Sequence, residues 1–377
     1  MSESVTQVSV DCLFEPYTYG SLELANRIVM APMTRGMCPE YVPTDDVVAY
    51  YRRRAEGGVG LIITEGTPPN DQGHGWKDVP SFYGQAALDG WKRVADAVHE
   101  AGGKIMPQIW HTGAMRQPGM GPVPELSSAA PTAFKHPGVR DQENCVASVA
   151  MTQADIDETV AAFAASAANA KKLGFDGIEL HGAHSYLIDQ FFWEFSNSRT
   201  DGYGGDLPQR TRFAVEVVEA VRAEVGPEFP VILRFSQWKQ GDYDHKMAPD
   251  ADALAAFLAP LSAAGVDIFH ASNRRFGDPE FEGSELNLAG WCKKLTGKPA
   301  ITVGSVGLDS DFLRSYAGKE AHQAGLDDLV RRVEAGEFEL VAVGRALLSD
   351  PAWANKVRDG RESEIVSYAP EHMGVLT

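Results

Sequence analysis

The chain has 377 residues, 44% of them hydrophobic, with 52 acidic against 34 basic side chains and a formal net charge of -18. That composition supports a sizeable core and leaves little room for long disorder, and a field of this sign, with no basic stripe to override it, argues against nucleic acid as a partner. No run approaches the ~18 apolar residues of a membrane-spanning helix, and Cys12, Cys38, Cys145 and Cys292 form no C-x-x-C pair, which argues against a disulfide framework and against a four-cysteine iron–sulfur cluster.

The opening segment MSESVTQVSVDCLFEP has no basic start followed by an apolar run, so no signal peptide is expected, and the scattered thiols fit a reducing, cytoplasmic location. Leu13–Leu24 reads as a hairpin turning at Tyr19-Gly20. From Arg27 onward, apolar runs alternate with segments of helical period. The expected strands are Arg27–Met33, Gly60–Glu65, Lys104–His111, Gly174–His181, Val231–Ser236, Val266–Ala271, Ala300–Gly304 and Leu340–Val343. The expected helices between them are Asp45–Glu56, Gln85–Ala101, Gln153–Leu173, Pro208–Val225, Asp250–Ala264, Leu286–Leu295 and Leu326–Ala335, with a last one after Asp350. Thr44 and Thr152 stand where N-caps belong.

Strands such as Val231–Phe235 are apolar on both faces, which suits a parallel sheet covered by helices. Eight alternations predict an α/β fold of the (β/α)8 TIM-barrel kind, one domain over residues 1–377, with the N-terminal hairpin capping one end. The rival, an open doubly wound sheet, would carry a Gly-rich nucleotide turn after its first strand. Gly57-Gly58-Val59-Gly60 instead precedes a strand and reads as a helix C-cap and turn. Three connections are long: Thr112–Met151, Gly182–Leu207 and Gln237–Pro249, after the third, fourth and fifth strands. All lie on the C-terminal side of a strand, where barrel enzymes place their active-site loops.

Polar residues out of place in apolar strands gather at that same mouth. The fourth strand runs into His181-Gly182-Ala183-His184-Ser185-Tyr186. Two imidazoles can donate N–H groups to one substrate oxygen, and a phenol beside them can deliver a proton. Arg234 lies inside the fifth strand, either in a structural salt bridge or as a cation facing a ligand that becomes anionic. Gln108 offers either a core hydrogen bond or an amide suited to an imide or pyrimidine edge. Gly304-Ser305 and Gly344-Arg345 end strands seven and eight; they are either ordinary turns or a phosphate site, and the arginine beside the second glycine favours phosphate. A metal reading would join His111 and His270 to His181 and His184, but a metal hydrolase usually carries an H-x-H pair on an early strand, and none is present. No metal is expected.

These motifs resemble the Old Yellow Enzyme family of FMN-dependent ene-reductases, in its short single-domain form. The resemblance runs from Leu13-Phe14-Glu15-Pro16 to Leu348-Ser349-Asp350-Pro351. It is carried by Asn26–Arg35, Gln108-Ile109-Trp110-His111, HGAHSYLIDQFF, Asn197–Gly205 and Gly344-Arg345. It implies FMN as cofactor and NADPH or NADH as reductant. Pro32, Met33, Thr34, Gly66 and Gln108 would lie against the flavin ring, Arg234 would face the edge where charge collects on reduction, and Gly304, Ser305, Gly344 and Arg345 would hold the phosphate. It further implies an α,β-unsaturated carbonyl substrate (an enone or related electron-poor alkene), bound by His181 and His184 and protonated by Tyr186 in a ping-pong hydride transfer. Trp110 would be a pocket wall or a core-packing residue. The same barrel in some relatives oxidises or demethylates amines, the alternative reading; a flavin binder without catalysis is another. The aromatic runs around Trp193 and Trp238 would serve either a substrate loop or a homodimer contact.

Overall fold

A computed structural model describes residues 9–143 and 145–377. The eight expected strands close into one parallel barrel. We number them β1 (Ile28–Met30), β2 (Leu61–Thr67), β3 (Lys104–Ile109), β4 (Ile178–Gly182), β5 (Val231–Phe235), β6 (Ile268–Ser272), β7 (Ala300–Val303) and β8 (Leu340–Val343). Each pairs with its neighbours in chain order, and β8 closes on β1 through Val341–Ile28, Ala342–Val29 and Val343–Met30. The covering helices are α1 (Asp45–Glu56), α2 (Gln85–Glu100), α3 (Gln153–Leu173), α4 (Arg212–Val225), α5 (Ala251–Ala264), α6 (Leu288–Thr296), α7 (Asp327–Glu334) and α8 (Trp353–Arg358).

Alternation along the strands divides the apolar residues into two cores. Val29, Leu61, Ile63, Met106, Ile232, Ile268, Ile301 and Leu340 point into the barrel. Ile178, Leu180, Val231, Leu233, Phe269 and Val341 point outward beneath the helices. This two-faced burial is why the strands read as continuous apolar runs. The hairpin Tyr17–Tyr19 with Leu22–Leu24 closes the lower end: Leu22 and Leu24 join the interior cluster, and Tyr17 and Tyr19 pack against it.

Several expected boundaries shift for local reasons. β1 stops at Met30 rather than Met33, because after Ala31 donates to the carbonyl of Val343 at 2.9 Å the next residue, Pro32, has no N–H to continue the ladder. The expected helix Pro208–Val225 is two, Leu207–Arg210 and α4, divided at Thr211, whose N–H turns back to the Pro208 carbonyl at 3.2 Å. Thr152 caps α3 as expected: its hydroxyl accepts from the Asp155 N–H, and Asp155 accepts from the Thr152 N–H at 2.7 Å. Thr44 sits at the N-cap of α1 but its side chain makes no capping bond; Asp45 and Asp46 in the first turn face the positive helix end instead. No helix among the described residues is long and apolar enough to cross a membrane.

Candidate active site

The inward positions change character as the strands climb. Above the apolar layer, β3 turns Gln108 inward, β4 turns Glu179 and His181, β5 turns Arg234, and β6 turns His270 and Ser272. Glu179 is fully buried and joins two neighbours: its Oε1 accepts from Gln108 Nε2 at 2.7 Å, and its Oε2 meets His270 Nδ1 at 2.6 Å. Burial lowers the His270 pKa, with Glu179 pulling the other way. A neutral His270 therefore donates from Nδ1 to the carboxylate.

Over this polar layer opens a cavity of about 290 Å³. Pro32, Met33 and Thr34 line it from the end of β1, Gly66 from β2, Gln108 and Trp110 from β3 and its end, and Arg234 from β5. His181, His184 and Tyr186 line it from the end of β4. Gly304 and Ser305, then Gly344 and Arg345, line it after β7 and β8. Each of these positions was singled out in the sequence, and the barrel brings them together. His111 and His270, the other two histidines of the metal reading, do not line the cavity. His111 accepts the Gly113 N–H on its Nδ1 at 3.1 Å. Among the described residues no group of three or more His, Cys, Asp or Glu side chains could hold a metal ion.

Gln108 makes a core hydrogen bond to Glu179 and also faces the cavity. Trp110 both packs against other rings and walls the cavity. Its indole stacks on Trp76 with centroids 5.1 Å apart at 17° and meets the Tyr186 ring edge-on at 4.9 Å. Gly66 leaves the room this wall needs, for a Cβ there would stand 2.6 Å from the Trp110 ring. The segment bearing Pro32–Thr34 is held by Glu65, whose Oε2 accepts the N–H groups of Arg35 and Gly36 at 2.9 and 3.0 Å. Burial raises the Glu65 pKa to about 7. Arg35 in turn donates to the carbonyls of His372, Met373 and Val375, which brings Met373 to the cavity wall, where Tyr368 also lies.

The turn after β4 is tight. His184 and Ser185 have φ of +60° and +58°, a left-handed pair unusual for non-glycine residues and held by specific bonds. The His184 N–H donates to Ser236 Oγ at 3.0 Å and the Ser185 N–H to Asp189 Oδ2 at 2.6 Å. Tyr186 then starts the short helix Leu187–Phe192 as its N-cap residue. Its ring meets His181 edge-on at 4.9 Å. On the far side the loop after β5 covers His184: Trp238 stacks on its ring at 4.4 Å and 17°, and the adjoining Lys239 pairs with Asp189, both fully buried.

His181 and His184 are held well below the ordinary histidine pKa, first by burial and then by the Arg234 charge. Both rings are neutral at pH 7 and act as donors through a single N–H each. Sequence reasoning missed Glu179, Ser272 and Asn273. The first two carried a signal: each follows the inward phase, two residues from His181 and His270 on their own strands.

Buried neutral histidines make the fold acid-sensitive. Burial lowers His74 and His111 to about 3 and His136 to about 4, from 6.5. The unfolded chain takes up their protons as pH falls through 6.5 and the native chain does not. Their contribution to stability is therefore intact above 6.5 and lost on the way down, to about 4 for His136 and about 3 for His74 and His111, at a limiting ~1.4 kcal/mol per pH unit for each histidine. Glu65, raised to about 7 from 4.5, opposes this between those two values. With His181 and His270 also lowered, the histidines outnumber it. Urea midpoints should drop steadily from pH 6.5 to 4.5; a flat series would mean these rings are protonated in the native state.

The family described as the NADH:flavin oxidoreductase / NADH oxidase family matches residues 12–364. The chain is 41% identical over 342 residues to a putative 12-oxophytodienoate reductase 2 of Oryza sativa subsp. japonica, covering 90% of this chain and 85% of that one. It is 33% identical over 367 residues to an NADH oxidase of Thermoanaerobacter brockii, covering 94% of this chain and 52% of the other, so it spans about half that relative's length. Among solved structures, morphinone reductase in complex with tetrahydroNAD superposes with a TM-score of 0.77 at 28% identity, covering 97% of each chain.

Proposed function

We propose that this chain, which belongs to the NADH:flavin oxidoreductase / NADH oxidase family, reduces the activated C=C bond of α,β-unsaturated carbonyl compounds. Membership makes it a flavin oxidoreductase with FMN as cofactor and NADH or NADPH as reductant. The cavity's donor set fits such a cofactor. Gln108 and Arg234 offer an amide and a cation at one end, Ser305 and Arg345 a hydroxyl and a cation beside Gly304 and Gly344 at the other. Asn273 in the same wall has a buried Nδ2 with no hydrogen-bond partner, and Gly66 keeps one wall free of a Cβ. In this reading Pro32, Met33, Thr34 and Gly66 line the ring, Gln108 and Arg234 take its polar edge, and Gly304, Ser305, Gly344 and Arg345 take the phosphate. When bound, the flavin relays hydride from the nicotinamide to the alkene.

The remaining chemistry belongs to this chain. His181 and His184, both neutral, donate to the carbonyl oxygen and draw electron density from the alkene. The Tyr186 hydroxyl gives its proton to the carbon next to the carbonyl. Trp110, backed by Trp76, walls the space in which the substrate lies. The observation that carries this reading is the convergence of two neutral imidazoles and one phenol on a single cavity. The relatives' names, reductases of 12-oxophytodienoate and of morphinone, agree with an oxo substrate. A cationic amine would meet Arg234 and two N–H donors with no carboxylate among the lining residues, which disfavours amine oxidation. The four free thiols fit a reducing, cytoplasmic setting.

The test is the absorbance spectrum of the purified protein, read anaerobically with NADPH and then with 2-cyclohexenone. A flavin band should bleach with NADPH and return with the enone. Bleaching without reoxidation would remove the enone reading and leave the cofactor; bleaching by an amine in place of the nicotinamide would favour the alternative chemistry.

A further inference from the structure

Ser272, at the inward end of β6, touches three groups of the site. Its Oγ lies 2.7 Å from His184 Nε2 and accepts from Arg234 Nη2 at 3.2 Å, and its carbonyl accepts from Trp238 Nε1 at 2.9 Å. A guanidinium is a donor only. One lone pair of the Ser272 hydroxyl is thus committed to Arg234, and the hydroxyl's own proton requires an acceptor. His184 Nε2 stands within reach to accept it. Were Nε2 protonated, the hydroxyl would face two donors, with its own proton pointing towards neither. His181 is arranged the other way. Its Nδ1 accepts the Ala183 N–H at 3.3 Å, so its ring proton lies on Nε2.

Resting on the function proposed above, we propose that Ser272 is the positioning residue for His184. It holds that ring as the Nδ1–H tautomer, so the pair offers Nε2–H of His181 and Nδ1–H of His184 to the substrate oxygen. The ring is also kept from flipping. Trp238 lies flat against it at 4.4 Å, anchored through its own bond to Ser272, and the His184 main chain is tied to Ser236. A tautomer change would turn the Nδ1 lone pair on the carbonyl oxygen, replacing an attraction by a repulsion, and a flip would put the Cδ2–H there in place of the donor. Ser272 acts through His184.

The experiment is imidazole ¹⁵N NMR on the holoenzyme labelled at histidine, with the His184 signals identified as those lost in His184→Asn. The expected wild-type spectrum shows a protonated Nδ1 and an unprotonated Nε2. In Ser272→Ala the two nitrogens should move towards averaged positions as tautomers exchange. Binding of 4-methylphenol should weaken about tenfold, the scale of one lost hydrogen bond, and KM for 2-cyclohexenone should rise by more than kcat falls. Ser272→Thr should restore all three. A wild-type His184 protonated on Nε2, or a His184 spectrum unchanged in Ser272→Ala, overturns the proposal. If the alanine variant does not fold, the wild-type spectrum still tests the proposal, because a protonated Nε2 overturns it. The expected wild-type spectrum in a protein that leaves enones unreduced would sustain the Ser272 assignment while removing the ene-reductase reading.

Discussion

Replacing Tyr186 by Phe is expected to slow reduction of 2-cyclohexenone by about 10²–10⁴-fold, the usual contribution of a positioned general acid. The ring should stay in place. It is held by edge contacts to Trp110 and His181 at 4.9 Å each, and the main chain by the bonds of the turn after β4. The substitution removes the hydroxyl and little else. In stopped-flow work the step in which NADPH bleaches the flavin should continue near its original rate, because it uses no proton from this phenol. The step in which the enone restores the flavin should collapse. Equal loss in both steps would remove the proton-donor role and point to a general disturbance of the cavity.

Lys239→Met should cost about 3–5 kcal/mol of stability, the range for removing one member of a buried ion pair. Lys239 and Asp189 are both fully buried, and burial pushes the lysine pKa down and the aspartate pKa up while each charge supports the other. Methionine fills the space of the stem and leaves the Asp189 carboxylate without its cation. Asp189 also accepts the Ser185 N–H within the turn that carries His184 and Tyr186, so the loss falls beside the site. Adding Asp189→Asn, which removes the charge and keeps an acceptor, should recover part of the stability. Urea denaturation of the two variants checks this. A single variant within 1 kcal/mol of the parent would mean that water reaches the pair.

Much of the active-site reading rested on local signals. The ends of eight apolar runs, the histidines and tyrosine after β4, the arginine inside β5 and the glycines after β7 and β8 were all visible as residues at odds with their neighbours. Barrel topology does the rest, because it carries every strand end to one mouth. The barrel itself followed from the alternation of two-faced strands with helical periods, whereas strand and helix ends moved with hydrogen bonds too local for periodicity to register, as at Pro32 and Thr211.

By itself, the sequence determined the order of strands and helices, the end of the barrel at which the cavity opens and the residue types gathered there. These depend on side-chain period and on backbone donors, which are properties of short stretches. Only the tertiary structure decided what each polar group faces. Glu179 joins Gln108 and His270 across three strands, Lys239 reaches Asp189 from another loop, and Ser272 meets His184 from β6. Such pairings bring together residues 50, 71, 88 and 91 positions apart. The physical reason is that a hydrogen bond is selected by distance and direction in space, and barrel closure sets both; no spacing along the chain encodes which neighbour will be within 3 Å.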